Sequence, residues 1–302
     1  MYWSERKKQL DESLAKDEKR LFSKMANYYE REAARLDKEI ASYYTKYGNE
    51  NVIEYRKLLE SLSDKDKNLL IERMDDFAKK YPEYEHLMPV RESIYKLNRV
   101  EGLRESIALQ QIEIGVYEQQ QAKSFFEKQA LNYANGAAIQ LGFGKNFYSI
   151  DHEMIKLAVG NKWCDGKDFS ERIWDNKDKL TRSLQNEVVN GFIRGDSYHK
   201  TSKIIQEKFQ NVSKKDIERL VYTENTYLSN ESAMKVFESD GVTEEYTFSS
   251  ALDNNTCSMC RNLNGETFKI KDRCPGLNFP PMHPWCRCFF EPVVFDDWRK
   301  YK

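Results

Sequence analysis

The chain has 302 residues, of which 32% are charged and 40% apolar, a balance that suits long solvated helices better than a compact enzyme core. No stretch has the length and apolarity of a membrane span, so we expect no membrane partner. The 48 basic and 49 acidic residues give a net charge of -1, which argues against binding nucleic acid mainly by neutralising phosphates.

The chain begins with charged residues that lead directly into a helical pattern, without the apolar core of a secretion signal. We therefore expect synthesis and residence in the cytosol. Five of the six cysteines lie between positions 257 and 288, and only Cys164, beside Trp163, lies elsewhere. Because the cytosol is reducing, this crowding indicates metal binding rather than disulfides, and Cys164 is predicted to be a small buried apolar residue.

Apolar residues recur at steps of three, four or seven from Trp3 to about Tyr47, with charged residues between them. This pattern predicts one amphipathic helix, about 65 Å long at about 1.5 Å per residue. A helix of this length must either extend beyond a small globular domain or pack against another helix. Its apolar stripe suits packing against another helix of the same chain or docking of a partner protein, and the sequence leaves both open.

More helices are predicted in the first half of the chain: residues 52–62, residues 63–81 with a cap at Ser63 and a stop at Pro82, and residues 89–138. Two patches of glutamines, Gln110–Gln111 and Gln119–Gln121, keep helix propensity without adding charge. We predict that they lie on the solvated surface of the last of these helices.

Three glycines between Asn135 and Gly144 mark the best break in the helical pattern. We therefore predict two domains, a long-helix region at residues 1–145 for partner docking and a second domain at residues 146–302. Further helices are predicted in the second domain: residues 170–195 capped by Ser170, residues 196–209, and residues 213–241 capped by Ser213.

After Gly241, β-forming residues alternate or cluster between turn residues in three short segments: residues 245–250, 266–270 and 289–294. The crowded cysteines lie in the loops that join these strands. The predicted fold class is mainly α, with long N-terminal helices, a helical middle and a small C-terminal α+β module at about residues 245–295.

The cysteine spacing is the strongest chemical signal. Cys257 and Cys260 can chelate one ion from a single turn, and a second group at positions 283–288 lies across a hairpin. Sulfur and imidazole ligands favour zinc over magnesium or calcium. We predict one structural zinc ion bound by Cys257, Cys260, His283 and Cys286, with Cys288 as the alternative fourth ligand and Cys274 as a weaker candidate.

Two other interpretations of the cysteines stay open, namely ordinary buried thiols and a catalytic zinc. A catalytic site needs an open coordination position and a nearby general base, and the deaminase signature of His-x-Glu ahead of Pro-Cys-x-x-Cys is absent from the chain. A closed site contributes folding free energy instead. We therefore favour a structural role and predict that the protein is not an enzyme.

Glu224 falls on the apolar stripe of the helix that follows residue 213, with Thr223 beside it. A buried carboxylate needs a partner, and Arg219, Arg194 and Arg287 are candidate donors. We predict a structural ion pair or cap that joins this helix to the zinc module, rather than a catalytic acid.

Six basic residues recur between Lys200 and Arg219, and three acidic residues dilute their charge. Most such runs are solvated helix faces. Local contact with DNA is the alternative.

Four segments of the second half carry a family resemblance: Leu252-Asp-Asn-Asn-Thr-Cys-Ser-Met-Cys260, Pro280-Pro-Met-His-Pro-Trp-Cys-Arg-Cys288, Gly191-Phe-Ile-Arg-Gly195 and Arg219-Leu-Val-Tyr-Thr-Glu224. Together they resemble the minor head, or head-morphogenesis, proteins of tailed bacteriophages, a group that includes the F protein of phage Mu. The resemblance covers roughly residues 170–292. The positions outside the metal ligands that match the family's pattern are expected to be structural: Asp253, Thr256, Thr223, Glu224 and Arg287.

The resemblance implies a virion component that lies inside the head near the portal and is made in the cytoplasm of a bacterial host. The implied partners are the portal protein and capsid or scaffold proteins, with phage DNA as a further candidate and no membrane. The implied role is in head assembly or in packaging or delivery of the genome.

Two other classes of function stay open. An ADP-ribosyltransferase-like enzyme is one, because related phage modules are found joined to toxins, although residues 246–250 match a nicotinamide-binding strand poorly. A DNA-binding zinc module is the other, which the basic run favours and the net charge opposes.

Overall fold

The computed structural model describes residues 2–149, 152–163, 165–241 and 243–294, with the backbone alone at residues 2–4, 213 and 240. Cys164 and the side chain of Ser213 therefore lie outside the described residues. Long helices dominate, and a small antiparallel sheet lies near the end of the chain, which confirms the predicted fold class. No described helix is both long and apolar enough to cross a membrane.

The helices follow one another as α1 (Tyr2–Tyr47), α2 (Tyr55–Leu58), α3 (Asp64–Lys80), α4 (Arg91–Ile94), α5 (Arg99–Gln140), α6 (Glu153–Val159), α7 (Phe169–Arg194), α8 (Tyr198–Asn211), α9 (Ile217–Asp240) and α10 (Ser258–Leu263). The strands are β1 (Gly48–Asn49), β2 (Val52–Ile53), β3 (Glu245–Ser249), β4 (Thr267–Lys269) and β5 (Phe289–Val293). A 3-10 turn at Pro82–Leu87 follows α3, and a π-helical turn at Val212–Asp216 joins α8 to α9.

The long first helix forms as its periodicity predicts. Its apolar residues at steps of three and four are buried, among them Leu21, Met25, Leu36 and Ile40. The predicted helices after it are only partly correct. Residues 52–62 do not form one helix, because a tight hairpin pairs β1 with β2.

The hairpin turn explains that error. Glu50 and Asn51 both have positive φ angles, 49° and 66°, which is the geometry of a two-residue turn between antiparallel strands. Helical periodicity in the flanking residues carries no information about such a turn. Only the four residues of α2 remain helical in the predicted segment.

Of the two predicted helix caps whose side chains are described, one is correct and one is wrong. Ser63 caps α3 as predicted, because its hydroxyl oxygen accepts from the amide of Asp66 at 3.1 Å. Ser170 does not cap α7. The helix begins one residue earlier, and Asp168 and Glu171 form a reciprocal capping box with amide to carboxylate distances of 2.9 and 3.0 Å.

Of the glutamines predicted to be solvated, Gln120 is exposed and Gln119 and Gln121 are partly exposed, but Gln110 and Gln111 are buried. Gln110 is 2% exposed and Gln111 is 1% exposed. Gln110 donates to the backbone carbonyl of Glu32 at 2.8 Å, within the core. The prediction was wrong for Gln110 and Gln111 because α5 is enclosed on most of its circumference, so it has little solvated face to receive polar residues.

Two compact units are distinguished by the contacts within the chain. Unit 1 comprises residues 1–23, 120–172 and 217–302, and unit 2 comprises residues 24–119 and 173–216. Three helices, α1, α5 and α7, contribute residues to both units. A functional division near residue 145 stays a prediction.

The three-stranded sheet belongs to unit 1. β3 lies in the middle and pairs antiparallel with β4 on one side and β5 on the other. Buried and more exposed residues alternate along β3 and β5, and the buried positions include Tyr246 and Phe248 of β3 and Phe290 of β5. These strands confirm the three predicted segments, and they position the loops that carry the cysteines.

Candidate metal centre

Five potential metal ligands meet in unit 1. They come from two segments: the start of α10, with Cys257 as its N-cap and Cys260 within it, and the loop before β5, which carries His283, Cys286 and Cys288. Cys260, Cys286 and Cys288 are buried, whereas Cys257 and His283 are partly exposed. The sequence-predicted ligands are therefore brought together in one cluster that could hold a metal ion.

The cluster consists of two groups of three donors that share Cys260. Cys257, Cys260 and His283 form one group, and Cys260, Cys286 and Cys288 form the other, with the donor atoms of each group within 4.8 Å of one another. Cys260 is thus the one described donor that belongs to both groups, and without it each group keeps two donors.

The distances fit tetrahedral coordination. Zinc bond lengths predict edges of about 3.8 Å between two sulfurs and about 3.6 Å between sulfur and nitrogen. The distance from the Cys260 sulfur to the Cys286 sulfur is 4.0 Å, and from His283 Nε2 to the sulfurs of Cys257 and Cys260 it is 3.2 and 3.5 Å. These three distances are close to the edges of a zinc tetrahedron, and the shared sulfur of Cys260 links the two groups of donors.

Local hydrogen bonds prepare the first cysteine as a ligand. Cys257 is the N-cap of α10, and its sulfur accepts from the amide of Cys260 at 3.4 Å. This bond lowers the pKa of the Cys257 thiol. The pKa of Cys286 is also lowered, first by a hydrogen bond from the neighbouring Cys288 thiol. Both effects favour the thiolate form that binds metal.

The histidine is oriented by its own loop. His283 Nδ1 lies 2.8 Å from the carbonyl oxygen of Pro284, so this nitrogen carries the hydrogen and donates it. Nε2 is then the free acceptor, and it is the atom that faces Cys257 and Cys260. This arrangement is the usual one for a histidine that binds metal through Nε2.

Three of the residues predicted to be structural connect the two ligand loops. Asp253 forms an ion pair with Arg287, which lies between the last two cysteines. The Thr256 hydroxyl donates to the Asp253 carboxylate at 3.1 Å and accepts from the Asp253 amide at 3.0 Å. The loop before Cys257 is therefore closed on itself and attached to the loop of Cys286 and Cys288.

Helix α9 holds the second ligand loop at two points seven residues apart. The Thr223 hydroxyl accepts from the amide of Trp285 at 3.2 Å, and Asn230 donates from Nδ2 to the Cys288 carbonyl at 3.2 Å. Trp285 has a positive φ of 66°, which a non-glycine residue adopts only when its surroundings impose it. Asn230 was not predicted, although its seven-residue spacing from Thr223 places both on one face of the helix.

Glu224 is buried, as predicted, but its partners differ from the predicted ones. Arg172 donates to it at 2.6 Å and the indole of Trp163 at 3.0 Å, instead of Arg219, Arg194 or Arg287. Burial raises the pKa of Glu224 to about 7 despite these donors. The ion pair joins α9 to the start of α7 and not to the cysteine module, because Glu224 and Thr223 point from adjacent helix positions in different directions.

Cys274, the weaker candidate ligand, contributes nothing to the cluster. Cys274 lies exposed on the loop between β4 and β5, outside both groups of donors.

In the basic run, Lys200 pairs with Asp196 at 2.7 Å, Lys203 with Glu207 at 4.0 Å and Lys208 with Glu187 at 3.6 Å. Much of the positive charge predicted for DNA contact is therefore neutralised within the chain.

A family model covers the segment that contains this cluster. Residues 182–291 match the model of the family described as phage Mu protein F like protein. This match confirms the resemblance seen in the sequence over about a third of the chain. No curated protein and no solved structure matches the chain.

The Mu F-like segment contains all five donors together with Thr223, Glu224, Asp253 and Arg287. The two donors to Glu224, Trp163 and Arg172, lie before its first residue. The metal cluster is thus internal to the family segment, whereas the anchoring of Glu224 depends on residues outside it.

Proposed function

We propose that this protein is a minor head protein of a tailed phage, a structural component of the virion that acts in head assembly and not as an enzyme. The observation that carries the proposal is the match of residues 182–291 to the model of phage Mu protein F like proteins, which supports the head-protein role that the sequence resemblance implies. The architecture supports it, because long helices and a small cross-linked module are suited to holding partners together.

We propose zinc as the metal of the cluster, bound by Cys257, Cys260, His283 and Cys286, with Cys288 as the alternative fourth ligand. The donors are sulfur and imidazole, three of the distances between them are close to tetrahedral edges, and four protein ligands would close the coordination shell. Bound zinc would supply folding free energy by cross-linking the loops of the sheet. The chain's own residues orient the ligands through Pro284, Thr223 and the Asp253–Arg287 pair.

The proposed partners are the portal protein and the capsid or scaffold proteins, and the proposed location is inside the head near the portal. The family match supports a position in the head. The long α1 helix offers exposed polar and charged residues along one side for such contacts. Contact with phage DNA is the less favoured part of the proposal, because several lysines of the basic run are paired with acidic residues.

The function is tested by co-assembly of the full chain with the phage portal and capsid proteins. We expect the chain to copurify with heads or portal rings. The amount of unbound chain should fall by the amount that is bound. Heads and portals that assemble without bound chain at saturating concentration would contradict the proposal. Saturable binding of NAD by the full chain would favour the ADP-ribosyltransferase-like alternative instead.

A further inference from the structure

A buried cluster of ionisable side chains lies in unit 2, away from the cysteines. Lys177 of α7 and Glu118 of α5 are each 2% exposed, and Tyr29 of α1 is 1% exposed. Lys177 Nζ lies 2.8 Å from Glu118 Oε2, the Tyr29 hydroxyl donates to the same oxygen at 2.7 Å, and Lys177 also contacts the Tyr29 hydroxyl. Each of three helices therefore contributes one member of a single hydrogen-bonded triad.

The position of the lysine is prepared by a glycine. Gly115 precedes Glu118 by three residues on α5, so both face the same side of the helix. A Cβ atom at position 115 would lie 2.7 Å from the ring of Trp174 and 3.1 Å from Cγ of Lys177. The missing side chain of Gly115 thus leaves the space through which the stem of Lys177 reaches Glu118.

Such a triad is a costly way to stabilise a helical core. Moving two charges out of water costs several kcal/mol per ion, and an apolar pair of similar volume is often as stable or more stable. Burial raises the pKa of Glu118 to about 8 and lowers that of Lys177 to about 7, which reflects this cost. Stability alone therefore does not account for the triad.

A role in fixing the axial register of the packed helices does account for it. A shift of one helical turn moves a residue about 5.4 Å along the helix axis, and apolar seams tolerate such a shift because one apolar contact replaces another. A shift of α7 or α5 by one turn would separate the buried Lys177 ammonium group from the buried Glu118 carboxylate that it contacts. We propose that Tyr29, Glu118 and Lys177 form a polar lock that fixes the register of α1, α5 and α7 in unit 2.

The test replaces the charged pair with apolar residues of similar volume in the full chain, as the double variant Glu118→Leu with Lys177→Met. We expect it to fold and to have a higher urea midpoint of unfolding than Glu118→Leu alone, which removes the carboxylate that the buried Lys177 contacts. Loss of the lock is read from methyl NMR signals of Ile40, Ile107 and Ile114, which are all fully buried in α1 or α5. Each gives one signal in the wild type and more than one in the double variant.

Leu184→Ala is the matched control, because Leu184 is fully buried in α7 and does not belong to the triad. It should lower the urea midpoint and still give one signal for each isoleucine. A double variant that retains single signals would overturn the proposal. A double variant that does not fold would also overturn it, since the triad would then be required for stability and not for register.

Discussion

At the scale of single residues, Cys260 is the centre of the candidate site. It belongs to both groups of donors, is 1% exposed, and donates its own amide to Cys257. Cys274, by contrast, was a candidate only because it lies between the other cysteines in sequence, and the structure places it on an exposed loop. The two cysteines therefore form a matched pair for testing whether the cluster binds zinc.

We predict that the Cys260→Ser variant loses bound zinc and that Cys274→Ser keeps one zinc ion per chain. The reason is that Cys260 is the donor shared by the two groups, so its removal leaves two pairs of donors with no sulfur in common, whereas a structural zinc site needs four ligands around one point. Elemental analysis of purified folded protein provides the measurement. The prediction would be contradicted if wild-type protein contained no bound zinc after purification under metal-replete conditions.

The same measurement distinguishes the two possible fourth ligands. Under the proposed ligand set, Cys286→Ser loses zinc and Cys288→Ser retains it. The opposite result would make Cys288 the fourth ligand and leave the zinc proposal intact, because both thiols lie within 4.8 Å of Cys260.

At the scale of elements, α9 connects the two halves of unit 1 through residues on different faces. Thr223 and Asn230 contact the loop of Trp285 and Cys288, and Glu224 contacts Arg172 at the start of α7. The helix pattern predicted that Glu224 is buried, but it could not identify the donor, since Arg172 is 52 residues away in sequence. A buried carboxylate with such a partner makes folding dependent on pH.

We predict that the unfolding free energy of the wild type falls, relative to Glu224→Gln, as pH rises from about 4.5 to about 7. The folded-state pKa of Glu224 is raised from 4.5 to about 7, so the folded chain holds a proton in this window that the unfolded chain has lost. The stabilising effect of that proton is complete below the unfolded pKa and is lost as pH rises through the folded pKa. Urea unfolding at pH 5 and pH 7.5 measures the difference.

Glu12→Gln is the control for this experiment, because Glu12 lies on the exposed side of α1. It should leave the pH dependence of unfolding close to that of the wild type. An unfolding free energy difference between the wild type and Glu224→Gln that is the same at both pH values would contradict the prediction.

At the scale of the whole molecule, neither unit is continuous in sequence. Unit 1 combines the start of the chain, the end of α5 and everything after the π-helical turn, and unit 2 consists of the two segments between. The metal cluster lies in unit 1, within the last 50 described residues, whereas the Tyr29–Glu118–Lys177 triad lies in unit 2. The two units therefore depend on different interactions in their cores.

We predict that chelation of zinc removes hydrogen-exchange protection from β3, β5 and the ligand loops and leaves α3 and α8 of unit 2 protected. The metal contributes folding free energy only where its ligands are, and the sheet is short enough to depend on it. Hydrogen exchange of the full chain with and without chelator makes the comparison. Equal protection of residues 245–294 in both conditions would count against a structural zinc.

The sequence by itself determined the features that depend on short-range spacing. The cysteine and histidine spacings, the long first helix, the three C-terminal strands and the cap at Ser63 were all predicted, because ligands, periodicity and caps involve residues that are neighbours in the chain. Tertiary structure alone decided the rest: the partners of Glu224, the burial of Gln110 and Gln111, the lock of Tyr29 with Lys177, and the discontinuous units. These depend on which distant helices pack together, and a helix that is enclosed on most sides buries polar residues that its local pattern assigns to solvent.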